Sequence, residues 1–262
     1  MEFLHNINPL YSLSGFAVGF LVGMTGVGGG SLMTPLLILL FNIHPATAVG
    51  TDLLFAASTK ACGAAVHGAA RTIDWRIVGR LAAGSIPSTA LTILVLALLG
   101  IEGNTAGKLI TQALAIALVI TSVALIGRHY VIKYYSSRIG ELSEAKTRNI
   151  TIGMGALLGV LVSLSSVGAG AIGVTALVLL YPKLPIARIV GSDIAHAVPL
   201  TLLAGAGHWW LGSIDWALLL SLIVGSIPGI LISSALIKHV PDVTLRYVLA
   251  GTLLLVAVRL LF

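Results

Sequence analysis

The residue of this 262-residue chain that demands most of its surroundings is Lys60, which interrupts the apolar run Ala46–Ala70. If that run crosses a membrane, a lysine near its middle costs ~2.5–3.5 kcal/mol on insertion scales and requires a counter-charge. Asp52 lies eight positions earlier, or ~12 Å along a helix, beyond an ordinary in-helix ion pair. The counter-charge then comes either from a carboxylate on another helix or from a bound anion. Ser58 is two positions away and faces elsewhere, so no Ser–Lys nucleophile pair is formed. Asp52 and Asp193 follow Thr51 and Ser192 in the related stretches Val49–Asp52 and Val190–Asp193. Read as first-turn residues, they would cap helix N–H groups; proton coupling is the other reading. His196 is three residues after Asp193 and on the same helical face. Like His67 and His208, it could relay protons near neutral pH or simply be a hydrogen-bonded structural histidine.

Two glycine-rich breaks supply a different chemistry. The first runs from Thr25 through Gly28, Gly29, Gly30 and Ser31; the second contains Ser165, Ser166, Gly168 and Gly170. A helix restarting after such a break presents free N–H groups and about half a positive charge, a preference for anions. Two such ends facing each other would form an anion cradle, with Thr25, Ser31, Ser165 and Ser166 as further donors. Close helix packing through small residues is the plainer alternative. No strand precedes these glycines, which excludes a dinucleotide fingerprint. Metal-ligand spacing, a Walker loop and a catalytic triad are absent from the sequence, so an enzyme, a metal and a cofactor are not expected. Cys62 stands alone, which excludes an internal disulfide.

The elements that must position these residues are membrane helices. Hydrophobic residues make up 57% of the chain and charged ones 9%, against ~25% charged in soluble domains. Mean hydropathy is +1.05, and so few charges cannot cover a soluble surface. The net charge of +6 is read as basic cytoplasmic loops, and no nucleic-acid partner is expected. Charges divide the chain into eight apolar segments: Leu10–Phe41, Ala46–Ala70, Ile77–Leu99, Ala106–Gly127, Ile150–Tyr181, Ile189–Trp210, Trp216–Ile237 and Val243–Leu261. Six suit one crossing each. The first and fifth are too long for one crossing, and the glycine breaks divide them.

An internal duplication organises the segments. Gly50 and Gly191 are 141 positions apart (191 − 50), as are Ile73-Asp74-Trp75 and Ile214-Asp215-Trp216. Gly84-Ser85-Ile86-Pro87 and Gly225-Ser226-Ile227-Pro228 share that register, as do His67 and His208. The expected domains are a first membrane repeat over 1–128, a basic linker over 129–149 and a second repeat over 150–262. Pro87 and Pro228 are read as helix kinks. Asp74 and Asp215, each followed by tryptophan, are read as caps beside interfacial anchors. If the broken segments dip and return to one side, Arg71, Arg76, the linker, Lys183, Arg188, Lys238 and Arg246 all lie inside. Each half then makes an odd number of crossings. The expected fold is an all-α integral membrane protein of two inverted repeats, each a broken, re-entrant helical hairpin plus three transmembrane helices. Both termini would lie outside. That architecture belongs to secondary transporters.

These motifs resemble the TauE/SafE family of sulfite exporters. The likeness rests on Gly15–Pro35 with its Gly26–Ser31 core, Ala48–Asp52, His67–Trp75, Val190–Pro199 and His208–Trp216. It implies a bacterial inner-membrane carrier of sulfite or small organosulfonates such as sulfoacetate. Gly28–Ser31 and Ser165–Gly170 would line the anion path, with Thr51-Asp52 and Ser192-Asp193 beside it. Gly29 and Gly30 correspond to Ala169 and Gly170, so the two breaks are not equivalent. The expected partners are a small anion and the lipid bilayer; a homo-oligomer is compatible with this reading. An anion channel, or a permease for carboxylate or inorganic anions, is the alternative.

Overall fold

The structure, a computed structural model, describes residues 8–25, 30–100, 104–135, 143–168, 170–236 and 242–261. All its regular structure among these residues is α-helical. The helices are α1 Pro9–Thr25, α2 Gly30–Phe41, α3 Pro45–Ala69, α4 Trp75–Leu99, α5 Asn104–Tyr135, α6 Glu144–Ser165, α7 Ala171–Leu180, α8 Ile186–Trp210, α9 Trp216–Leu236 and α10 Asp242–Leu261. The 141-residue shift carries both ends of α3 onto those of α8, and the start of α4 onto that of α9. By length and composition, α4, α6, α8 and α9 and the Gly107–Gly127 part of α5 can cross a membrane. Helix α3 is as long as α8 but is not among them, because Asp52 and Lys60 lower its hydropathy.

Local chemistry sets several boundaries differently from the sequence expectation. Helix α6 starts at Glu144, not Ile150, because Ser143 caps it by accepting from the Lys146 N–H (3.4 Å), with Glu144 in the first turn. Helix α5 continues to Tyr135. Both ends of the expected 129–149 linker are therefore helical, while 136–142 lie outside the described residues. Asp74 accepts from the Arg76 N–H (3.0 Å) and Asp215 from the Leu218 N–H (2.9 Å), the capping roles expected of them. Helices α3 and α8 begin differently: Pro45 fills the first turn of α3, and Pro185 immediately precedes α8.

Each broken segment folds as a hairpin. The Tyr181 hydroxyl, just beyond α7, lies 2.9 Å from Thr151 Oγ1 early in α6. Tyr11 near the start of α1 packs edge-on against Phe41 at the end of α2, with ring centroids 4.9 Å apart. Helices α2 and α7 have 12 and 10 residues, ~18 and ~15 Å long, against a ~30 Å hydrocarbon core.

Glycines set the closest approaches, and they join the halves. A side chain at Gly84 of α4 would collide with the Ile152 carbonyl of α6; one at Gly155 of α6 would meet the Leu81 carbonyl of α4. Likewise Gly15 of α1 lies against Leu222 of α9, and Gly225 of α9 against Ser12 of α1. Four residues further along both partners, Gly159 of α6 meets Ser85 of α4 and Gly19 of α1 meets Ser226 of α9, so α4 is parallel to α6 and α1 to α9. At the centre the order reverses: Gly50 meets His208, Gly205 meets Leu54 and Gly191 meets His67. Helices α3 and α8 are thus antiparallel. Around them Val49, Leu53, Leu158, Val162, Leu200 and Ala204 form a buried core. Leu91, Leu98, Val123, Leu202 and Leu231 are exposed on the outside, a surface suited to lipid.

A polar cluster between the antiparallel central helices

Because α3 starts at Pro45 and α8 at Ile186, Asp52 and Asp193 lie two turns inside their helices. The first-turn capping role expected for them is therefore ruled out: the N–H groups at those positions already bond within the helix. Both carboxyls are buried, 0% and 1% exposed, and each faces the returning helix of its own hairpin. Thr34 Oγ1 of α2 donates to Asp52 Oδ2 at 2.5 Å. Asp193 lies over Gly173 in the first turn of α7, where any side chain would run into Oδ1.

Lys60 comes to the same place. It is 8% exposed, lies within electrostatic reach of Asp52, Asp193 and His196, and makes no ion pair within 4.0 Å among the described residues. His196, fully buried one turn after Asp193, is fixed through Nε2, 2.8 Å from Ser85 Oγ of α4. Ser166 ends α6 in a left-handed conformation (φ 57°), placing its hydroxyl beside the Asp52 carboxyl without completing a hydrogen bond. The break in one half thus reaches the carboxylate of the other.

Burying a polar atom without a partner is costly, and folded chains rarely leave one so. Four buried atoms without a hydrogen-bond partner among the described residues belong to this cluster: Asp52 Oδ1, Ser166 Oγ, Asp193 Oδ1 and His196 Nδ1. With the Lys60 ammonium they form a set of unmet donors and acceptors at the crossing of α3 and α8. Such a set is suited to a small solute that carries both negative charge and hydrogen-bonding oxygens. No three His, Cys, Asp or Glu side chains are arranged to hold a metal among the described residues.

Other residues expected at the site are engaged elsewhere. Thr51 accepts from the Asp215 N–H (3.2 Å) and Ser192 from the Asp74 N–H (2.8 Å), so each joins its helix to a loop of the opposite half. His67 Nδ1 pairs with Thr72 (2.8 Å) and His208 Nδ1 with Ser213 (3.1 Å), while His208 Nε2 bonds the Ser163 carbonyl (2.9 Å). The Ser165 hydroxyl is committed to the Leu161 carbonyl (2.6 Å). Gly168 and Gly170 adopt φ of 119°, which favours glycine at both positions. Thr25 ends α1, and Gly30 and Ser31 open α2; their side-chain surroundings lie outside the described residues, as do Gly28 and Gly29 altogether. Sequence reasoning missed Thr34, Ser85 and Gly173. Ser85 lies in the repeated Gly-Ser-Ile-Pro motif, whose reading rested on the repeat register and on its proline.

The cluster is not symmetric. The repeat counterpart of Lys60 is Thr201, whose hydroxyl bonds the Ala197 carbonyl of its own helix (2.8 Å). That of His196 is Phe55, a buried apolar ring.

Among known proteins, the sequence pattern of the sulfite exporter TauE/SafE family matches residues 11–260. A probable membrane transporter protein of Bacillus subtilis (strain 168), YjnA, is 38% identical over 250 residues, spanning 95% of this chain and 98% of that protein. A second from the same organism, YdhB, is 29% identical over 251 residues, 94% of this chain and 97% of its own length. No solved structure matches the chain.

Proposed function

Since the chain belongs to the TauE/SafE sulfite exporter family and is a multi-pass membrane transporter, we propose that it carries a small sulfur oxyanion or organosulfonate, sulfite or sulfoacetate being examples. The carrying observation is the group of four unpartnered buried polar atoms around Lys60. In this reading the anion takes the place between α3 and α8, accepting from Lys60, His196 and Ser166. Export across the bacterial inner membrane is the proposed direction and location.

The architecture proposed for the task is a pair of inverted repeats working by alternating access. It is supported by the antiparallel run of the equivalent helices α3 and α8 and by the two hairpins. Arg71 and Arg76 at the start of α4 lie on the same end as Arg188, since Asp74 binds Ser192. Arg80 there pairs with Glu144 at 3.0 Å, which brings Lys146 and Arg148 to that end too. By the positive-inside rule that end is the cytoplasmic one. The packing further divides the moving parts: α4 travels with α6, and α9 with α1, so each body draws on both halves.

Charge counting sets the coupling. With both carboxyls ionised and Lys60 charged, the cluster carries one net negative charge, and a monoanion would raise that to two in a dry interior. Anion entry therefore brings a proton to Asp52 or Asp193. Purified protein should be stabilised by the preferred anion in a thermal-shift panel of sulfite, sulfoacetate, acetate and chloride. In liposomes, saturable counterflow of that anion is the expected result. A panel in which no anion raises the melting temperature overturns the proposal, and unsaturable flux without counterflow would instead indicate a channel.

A further inference from the structure

We propose that Ser85 is a positioning residue, holding His196 as the tautomer whose free Nδ1–H donates to the transported anion. This rests on the anion-carrier reading above and adds to it a named donor and the group that sets it. Ser85 Oγ is 1% exposed and has one hydrogen-bond partner, His196 Nε2, at 2.8 Å. A buried hydroxyl satisfies its proton only by donating it. The Leu81 carbonyl one turn back does not receive that proton, so the acceptor is Nε2. A neutral imidazole whose Nε2 accepts must carry its own hydrogen on Nδ1. His196 Nδ1 is buried and has no hydrogen-bond partner among the described residues, and the ring lies within reach of the Lys60 charge.

The resulting donor is neutral, and that suits the place. A second full positive charge beside Lys60 would be repelled, whereas an N–H dipole is not. A single cation plus a neutral N–H can bind two oxygens of one sulfonate or sulfite headgroup without demanding a dianion. The repeat supports a purpose beyond packing: Ser226, the counterpart of Ser85, turns its hydroxyl to the Ile223 carbonyl (3.2 Å). Its helix faces no histidine at the position of His196, because Phe55 stands there. A serine kept for packing would behave alike in both halves.

The groups facing His196 define the test. They are Lys60 of α3 and Ser85 of α4, with Asp193 one turn earlier on its own helix. Nitrogen-15 spectra of histidine-labelled full-length protein should show His196 protonated on Nδ1, and that signal should shift when sulfite or sulfoacetate is added. Ser85→Ala should release the tautomer preference and weaken anion affinity about tenfold or more, as expected for losing a bond to a charged group. Ser85→Thr, which retains the hydroxyl, should restore both. His196→Gln, which keeps an N–H donor, should bind more tightly than His196→Leu. Protonation on Nε2, or Ser85→Ala binding with wild-type affinity, overturns the proposal while leaving the carrier reading intact. Wild-type protein that binds none of the anions removes both together, a result distinct from the first because the tautomer is read without any anion.

Discussion

In the proposed carrier Lys60 binds the anion, and Asp52 or Asp193 takes the proton that accompanies it, in a place where charge is expensive. The lysine makes no close ion pair among the described residues, so its removal should cost the ligand more than the fold. Lys60→Ala is expected to lose the thermal shift given by sulfite or sulfoacetate while unfolding at a temperature no lower than the wild type without ligand. Affinity should rise as pH falls from 8 to 6, since the complex holds one more proton than the free protein, and thermal-shift titrations at both values check that sign. Thr34 is a structural counterpart: Thr34→Val removes its hydroxyl's hydrogen bond to the buried Asp52 carboxyl and should destabilise by about 1–3 kcal/mol, read from denaturation midpoints. Of these residues the sequence marked Lys60, Asp52, Asp193 and His196, because a charge or imidazole inside an apolar run stands out. Thr34 and Ser85 were not legible, since a hydroxyl can satisfy itself on its own helix and nothing local says that it does not. The partners of Thr51 and Ser192, the N–H groups of Asp215 and Asp74, were hidden for the converse reason: adjacency in sequence to a carboxylate does not fix which side of the helix a hydroxyl faces.

Helix ends decided where the carboxylates stand. One shift of the start, from the expected first turn near Asp52 back to Pro45, turns a cap into a buried site group. Proline in the first turn made that start available, and periodicity in so uniformly apolar a run could not locate it. Glycine at helix crossings was clear as composition, but its partners were not. Gly225 has the Ser12 carbonyl where a side chain would go, so Gly225→Val should cost about 1–3 kcal/mol through overpacking. Gly79, with nothing nearby, should tolerate Ala with little change. Comparing the melting temperatures of the two variants tests whether the α1–α9 seam is as close as described.

The whole molecule brings Arg71, Arg76, Lys146, Arg148 and Arg188 to one end, and the proposed site lies between two helices related by the repeat. On a Cys62→Ser background, Lys146→Cys should react with a membrane-impermeant thiol reagent only from the cytoplasmic side of oriented vesicles. Lys108→Cys, on the end where Gly107 adjoins His44, should react only from the other. Labelling of both from one side would reverse the inverted reading. The membrane setting, the helical class, the 141-residue repeat and the two breaks were written in composition and spacing, because each follows from local hydropathy or from identity along the chain. Tertiary structure alone decided that α4 and α9 pack into opposite halves, that α3 and α8 run antiparallel, and that polar atoms from several helices converge unpartnered on one lysine. Those facts depend on which faces meet across the chain, and a linear pattern of small and apolar residues is compatible with many such meetings.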